Sequence, residues 1–508
     1  MIAQAHSATL IGIEALPVVI EADLTGPIQG DGERYFVLVG LPDKAVQESR
    51  ERVRVAIRNS ELTFPNKKIM VNLAPADIRK EGPALDLPIA LAVLATGGDI
   101  PRSELEGTMI LGELGLDGAI RSIDGAVSVA LMAQEKGFRR LILPEMNAAE
   151  AAVATGLEVF GVRSLLDAVE LLNGSSLFAP VRFEASVNVP EVQYTVDFAD
   201  VKGQRHAVRA LEIAAAGGHN VLMVGPPGSG KTMLARRLPT ILPPLALNES
   251  IEVTRIHSAA GEKGRPGLIW ERPFRAPHHS ASHAAIVGGG KNPKPGEISS
   301  AHHGVLFMDE MPEFDRSVLE ALRQPLEDGV VTVARVSSTV TFPAQTILIG
   351  AMNPCPCGFK GYPEQKCVSN PATCGKYAGR ISGPLMDRID LHLEVPRLKV
   401  DDLMGGTDGE PSADIRRRVL TARAIQHERL GEHRTNAKMN PREVRETVAL
   451  DAESEAFLRT VIAKLNLSAR VYDRILKVAR TIADLRGEPN VRKAHLAEAV
   501  QFRERSEF

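Results

Sequence analysis

Four consecutive apolar residues, Val221, Leu222, Met223 and Val224, break into a glycine-rich turn, and this junction constrains the chain more than any other stretch. The turn is Gly225, Pro226, Pro227, Gly228, Ser229, Gly230, Lys231 and Thr232, which fits the spacing G-x-x-x-x-G-K-T. A helix-forming run follows (Met233, Leu234, Ala235, Arg236, Arg237, Leu238). The apolar run predicts a buried strand. The glycines let backbone N–H groups curl round phosphate oxygens. The new helix aims the positive end of its dipole at the same point. Lys231 is expected to reach the β- and γ-phosphates of a nucleoside triphosphate, and Thr232 to hold its Mg²⁺. A strand before and a helix after are the context that separates this loop from a ligand-free glycine turn.

Two further apolar runs end in the polar groups that phosphoryl transfer needs. Residues 304–308 lead into Asp309 and Glu310. Asp309 is expected to bind Mg²⁺ through water, and Glu310 to orient or deprotonate the attacking water. Residues 346–352 lead into Asn353, expected to sense the γ-phosphate. Arg388 lies between Asp387 and Asp390, and an arginine of this kind stabilises transition-state charge, often from a neighbouring subunit. Residues 316–327 read as one helix. Residues 331–333 and 340–342 alternate with period two and predict a hairpin with Arg335 near its tip. Beyond a polar break at 404–411 the pattern is helical. Leu467, Val471, Ile475, Val478, Ile482 and Leu485 recur at spacings of three and four, with Arg470 near the start as a candidate lid arginine.

A length of 508 residues allows about three domains. The formal net charge is only −3, so a polyanionic partner must meet a local basic surface. Residues 265–296 supply one: an irregular, proline- and glycine-rich stretch in which Lys291 and Lys294 are candidate DNA-phosphate contacts. His278, His279 and His283 in it read as polar packing. Aromatics make up 4% of the chain, which argues against base stacking as the main binding mode. No run of 18 apolar residues predicts a membrane span. The start of the chain shows no secretory pattern. The expected location is the cytoplasm. Ahead of the phosphate loop, residues 173–190 read as a linker, and Val201 and Gln204 are placed near the nucleotide base. Behind it, the proline-rich run from Pro239 to Leu247 reads as a turn.

The first 170 or so residues read as mixed α/β. Residues 72–88, with Gly82, Pro83, Ala84, Leu85 and Asp86, resemble the Lon-protease-type domain of the ribosomal-protein S5 domain 2-like fold. In active members a serine follows the Gly-Pro pair. Ala84 stands there, and residues 125–130, where the family keeps its catalytic lysine, contain none. Peptide hydrolysis needs a nucleophile beside a base, so the resemblance implies a protease-inactive module.

The order of strand and phosphate loop, strand and Asp-Glu, strand and Asn353, Arg388, and helical lid with Arg470 resembles an AAA+ ATPase. Residues 295–299 and 320–329 are similar to its magnesium-chelatase-like subgroup. With the N-terminal part, the whole chain resembles the YifB/ComM family. The resemblance implies an α/β protein of four parts: a Lon-like domain over 1–172, a linker over 173–193, an AAA+ core over 194–398 and a helical lid over 399–508. It implies an ATP- and Mg²⁺-dependent homohexamer that moves single-stranded or branched DNA, as in branch migration during recombination and natural transformation. The alternatives are a magnesium-chelatase-type motor subunit and a MoxR-like remodelling chaperone. The four cysteines, Cys355, Cys357, Cys367 and Cys374, follow C-x-C-x₉-C-x₆-C. Four thiolates suit a tetrahedral structural Zn²⁺, although the spacing differs from paired C-x₂-C, and a reduced loop without metal is the other reading.

Overall fold

Residues 3–7 and 18–23 alternate between buried and accessible side chains. In the computed structural model of the chain they belong to an antiparallel pair, β1 (Ala3–Ile11) and β2 (Glu14–Thr25). The structure describes residues 2–26, 35–183, 192–262, 267–290, 292–334, 339–362, 366–398, 409–465 and 467–503. They divide into two compact units. The first is Met1–Pro190 with Leu247–Trp270 and Lys291–Pro295; the second is Glu191–Ala246, Glu271–Gly290 and Gly296–Phe508.

In the first unit β1 and β2 join β3 (Phe36–Val39), β4 (Lys68–Ala74), β5 (Thr108–Ile110), β6 (Arg140–Pro144) and β7 (Glu158–Val162). The sheet order is β3-β4-β2-β1-β5-β6-β7. Helix α1 (Lys44–Asn59) is amphipathic and capped by Asp43, whose carboxylate accepts from the Val46 N–H at 2.8 Å. Helix α2 (Asp86–Gly97) is buried on all sides from Asp86 to Ala95, so its sequence is apolar all round. At its start the Asp86 carboxylate accepts from Arg52 Nε at 2.7 Å and from the Leu114 N–H at 3.3 Å. Burial still lifts its pKa above the usual carboxylate range. Helix α3 (Ala126–Glu135) meets the helix Leu247–Ala260, which comes from far along the chain but belongs to this unit. Ser258 Oγ accepts from the Gly125 N–H at 2.7 Å, and Arg255 donates to Ser128 Oγ at 3.1 Å and to Glu14 at 3.0 Å.

The second unit carries a five-stranded parallel sheet. Its strands are β8 (Val221–Val224), β9 (Phe274–Arg275), β10 (Val305–Met308), β13 (Ile347–Met352) and β14 (Leu391–Glu394), ordered β9-β10-β13-β8-β14. Between them β11 (Val330–Ala334) and β12 (Thr339–Pro343) form the expected hairpin, Val330 opposite Pro343 and Ala334 opposite Thr339. Its tip, with Arg335, lies outside the described residues, as does Lys291. Every residue of β8, β10 and β13 is buried, as a parallel sheet covered on both faces requires. Residues 316–327 are not one helix but two, Arg316–Ala321 and Arg323–Asp328. Pro325 explains the break, because its ring lacks an N–H and clashes with the carbonyl four residues back. The C-terminal part is helical: Ser412–Leu430, Pro441–Thr447, Ala452–Leu465, Ala469–Leu485 and Lys493–Gln501. Their apolar faces share one core with the sheet of this unit.

His392 on β14 sits where sheet and helices join. Its backbone N–H donates to the Phe502 carbonyl at 2.7 Å, and its ring Nε2 faces the Ile389 carbonyl at 3.2 Å. Burial, then the nearby Arg474 charge, press its pKa down to about 4 from 6.5. Between those values the unfolded chain binds the proton and the folded chain does not, so stability falls as pH falls through that window. Lowering pH from 7 to 5 is expected to cost the second unit about 2 kcal/mol through this group. His392→Gln should remove that part of the pH dependence. Thermal unfolding of both proteins at the two pH values checks it; parallel losses would sink the assignment.

Candidate functional site

The phosphate loop forms because two positions exclude other residues. A Cβ on Gly225 would lie 2.2 Å from the Val395 carbonyl oxygen, so the loop leaves the sheet only with glycine there. Gly230 has φ +91°, in the left-handed region, and opens helix Lys231–Ile241 without a side-chain cap. The first N–H groups of that helix have no intrahelical acceptor and carry the positive dipole end. The helix runs on through Pro239 to Ile241, where the proline-rich sequence predicts a turn.

Three strand ends deliver the expected side chains to one place. Lys231 Nζ donates to the carbonyls of Gly225 (2.7 Å) and Pro226 (3.0 Å) and to Asn353 Oδ1 (3.3 Å). Burial pulls its ammonium below the ordinary lysine value, against the pull of Asp309 and Glu310. Thr232 Oγ1 donates to Asp309 Oδ2 at 2.8 Å, and Asp309 Oδ1 accepts from the Glu310 N–H at 3.0 Å. Glu310 holds a left-handed backbone, φ 49°, a strained state of the kind found at functional sites. A cavity of ≈ 430 Å³ is lined by Pro227, Gly228, Ser229, Gly230, Lys231, Thr232, Met233, Asp309, Glu310, Met352 and Asn353.

The residues suit a polyphosphate with a divalent cation. Among the described residues nothing partners Ser229 Oγ and Gln204 Oε1, which are buried at the loop. A hydroxyl beside a carboxylate, Thr232 with Asp309, is a hard oxygen pair of the sort Mg²⁺ takes. A second cavity, ≈ 880 Å³, lies beside the same loop and is lined by Gln204, His206, Leu222, Val224, Leu393 and Val395 among others. It is the larger of the two, but Lys231, Asp309 and Glu310 line the smaller one.

Three contacts around the loop have no counterpart in the sequence patterns. Gln204, placed near the base, also clasps the loop: its Nε2 donates to the Ser229 carbonyl at 2.7 Å. His279, read as packing, places Nδ1 3.5 Å from Glu310 Oε2. Arg397 donates to the Pro227 carbonyl at 3.3 Å and lies over the Phe359 ring. No local pattern marks these residues, because each acts through a partner at least 25 positions away. Val201, the other residue placed near the base, is a core residue, 3% exposed.

The two arginines are not brought to the loop of their own chain. Arg388 donates to the Pro384 carbonyl at 2.7 Å and pairs with Glu327. Arg470 pairs with Asp387 at 2.9 Å and is 71% exposed. Its helix is held there by Arg474, which donates to the Met386 and Ile389 carbonyls. Arg388 and Arg470 therefore share one surface cluster. Lys294 is exposed, 3.7 Å from Asp124 of the same unit. The four cysteine sulfurs lie close together, with Cys355 3.3 Å from Cys357 and 3.6 Å from Cys367. Among the described residues no helix is long and apolar enough to cross a membrane.

Comparison with known proteins places this geometry in a family. A family model described as "Magnesium chelatase, subunit ChlI" matches residues 197–403. Models described as "Subunit ChlI of Mg-chelatase" and "Magnesium chelatase, subunit ChlI C-terminal" match 27–147 and 409–503. Competence protein ComM of Haemophilus influenzae is 45% identical over 502 residues, 98% of this chain and 96% of the relative. YifB of Salmonella typhimurium is 42% identical and YifB of Escherichia coli 41%, each over 501 residues with the same coverage. With near-complete coverage at this identity, and with the phosphate loop, Asp-Glu pair and Asn353 meeting at one cavity, the chain belongs to the ComM/YifB family of magnesium-chelatase-like AAA+ proteins.

Proposed function

We propose that the chain is an Mg²⁺-dependent ATPase working as a homohexameric cytoplasmic DNA motor that promotes branch migration in recombination. The observation that carries the ATPase part is the meeting of Lys231, Thr232, Asp309, Glu310 and Asn353 at one cavity. Residues 225–232 would hold the phosphates, with Lys231 on the β- and γ-phosphates, and Thr232 and Asp309 would hold the cation. The bound ion would supply charge neutralisation at the transferred phosphoryl group. Glu310 would take the proton of the attacking water, and Asn353 would fix that water's position. Arg388 and Arg470, grouped away from their own loop, would serve the site of a neighbouring subunit.

We read residues 1–172 as a Lon-like domain without protease chemistry, 173–193 as a linker, 194–398 as the ATPase core and 399–508 as the lid. The inactive reading is supported by Ala84 and by Ser128, whose hydroxyl is spent on the Ile13 carbonyl at 2.6 Å. The DNA part is supported by the likeness to a competence protein and by the basic stretch with Lys291, Lys294 and the Arg335 tip. The family descriptions favour a second reading, a magnesium-chelatase-type motor. Adding single-stranded or branched DNA to the purified chain should raise ATP turnover at least about threefold and shift it toward a hexamer, less so as salt rises. If DNA alters neither rate nor assembly, the chelatase reading takes its place.

A further inference from the structure

The cysteines converge from two elements just after the strand end that carries Asn353. Cys355, Cys357 and Cys367 belong to the loop after β13; Cys374 belongs to the helix Pro371–Ala378. Sulfur separations are 3.3 Å (Cys355–Cys357), 3.4 Å (Cys357–Cys367), 3.6 Å (Cys355–Cys367) and 3.9 Å (Cys367–Cys374). The sulfurs of Cys355, Cys367 and Cys374 lie within 4.8 Å of one another. None is in a disulfide. A tetrahedral ion with sulfur at ~2.3 Å sets its ligands ~3.8 Å apart; the four separations here run from 3.3 to 3.9 Å, close enough for one ion to draw the sulfurs round itself. Sulfurs this close surround one ion and leave no room for the bridging sulfides of an iron–sulfur cluster. The Lys360 N–H donates to Cys355 Sγ at 3.3 Å, a backbone contact that orients a thiolate ligand.

The same loop and helix hold the catalytic strand end. Gly358 lies against the phosphate loop so closely that a Cβ there would stand 2.5 Å from Pro227 Cδ. Tyr377, one turn after Cys374 on the same helix, is buried, and its hydroxyl is hydrogen-bonded to the backbone of Asn353. Asn353 in turn accepts from Lys231 at 3.3 Å. A tie between the loop and this helix therefore fixes both the phosphate loop and Asn353.

We propose that Cys355, Cys357, Cys367 and Cys374 hold one structural Zn²⁺, and that this tie positions Asn353 and the phosphate loop for turnover. The second half rests on the ATPase reading; the first does not. The full chain, purified under reducing conditions without added metal, should carry about one zinc and no iron, and Cys367→Ser or Cys374→Ser less than about a tenth. Hydrogen exchange at residues 347–360 should quicken about tenfold or more in the zinc-free variants and in chelator-stripped wild type, and return with Zn²⁺ but not Mg²⁺. Turnover should fall about tenfold with nucleotide affinity within about threefold, and Asn353→Ala should add nothing to Cys374→Ser. Less than about a tenth of an equivalent of zinc in reduced wild type overturns the metal site. Unchanged exchange in stripped protein, or losses that multiply in the double variant, overturn the positioning role. Zinc content and exchange are read without ATP, so they decide the proposal even where the chain shows no turnover.

Discussion

Lys231→Ala is expected to lower ATP turnover by about three orders of magnitude. Among the described residues its ammonium is the single cation lining the cavity, and its charge is directed there by three acceptors, Gly225, Pro226 and Asn353. A preorganised donor at developing charge is worth roughly 10²–10³ in rate, about 3–4 kcal/mol. Burial has already removed much of its hydration, which strengthens its field at a bound phosphate. Stability should change less, because the loop carbonyls it leaves can turn toward solvent or a bound ion; a cost of about 1–2 kcal/mol is expected. A steady-state phosphate-release assay beside a denaturation curve separates the two. Turnover within about tenfold of wild type would remove Lys231 from the reaction and, with it, the ATPase reading of this cavity.

Arg388→Ala is expected to keep nucleotide binding and lose turnover by about 10³-fold, the magnitude seen for arginines supplied across an interface. The Arg388 side chain is 19% exposed and its partner Glu327 63%, so a denaturation curve run beside the assay separates lost turnover from lost stability. The decisive result comes from mixing. An Arg388→Ala chain has an intact phosphate loop, and a Lys231→Ala chain has an intact arginine. If the arginine serves the neighbour, a one-to-one mixture restores about a quarter of the interfaces, those in which the good loop meets the good arginine. If it serves its own chain, no interface has both, and the mixture stays inactive. Arg470→Ala should behave the same way, because Asp387 holds it beside Arg388 and away from its own loop.

The candidate site was legible to the extent that backbone conformation writes itself into short stretches. Gly225 and Gly230 mark a turn that only glycine can make, and the apolar runs before Asp309 and Asn353 mark strands buried on both faces. Parallel strands that share a sheet present their carboxyl ends together, so three separate motifs in the chain become one cavity. Helix Ala469–Leu485 was likewise announced by apolar residues at spacings of three and four. The break at Leu322 was not, because one proline outweighed an otherwise regular apolar stripe.

The sequence by itself determined the chemistry on offer: which residue types could bind phosphate, hold a cation, activate water or ligate a soft metal, and that residue 84 is an alanine with no nucleophile. Those properties belong to residue types and to local backbone, which need only a few neighbours to be specified. Only the tertiary structure decided which groups act on one another. It set Arg470 against Asp387, Gln204 against the Ser229 carbonyl, His279 beside Glu310, and the helix Leu247–Ala260 with the first unit. Each is a contact between side chains or elements far apart in sequence. Such pairings are selected by packing and charge once the strands are in register, and a periodicity carries no record of them.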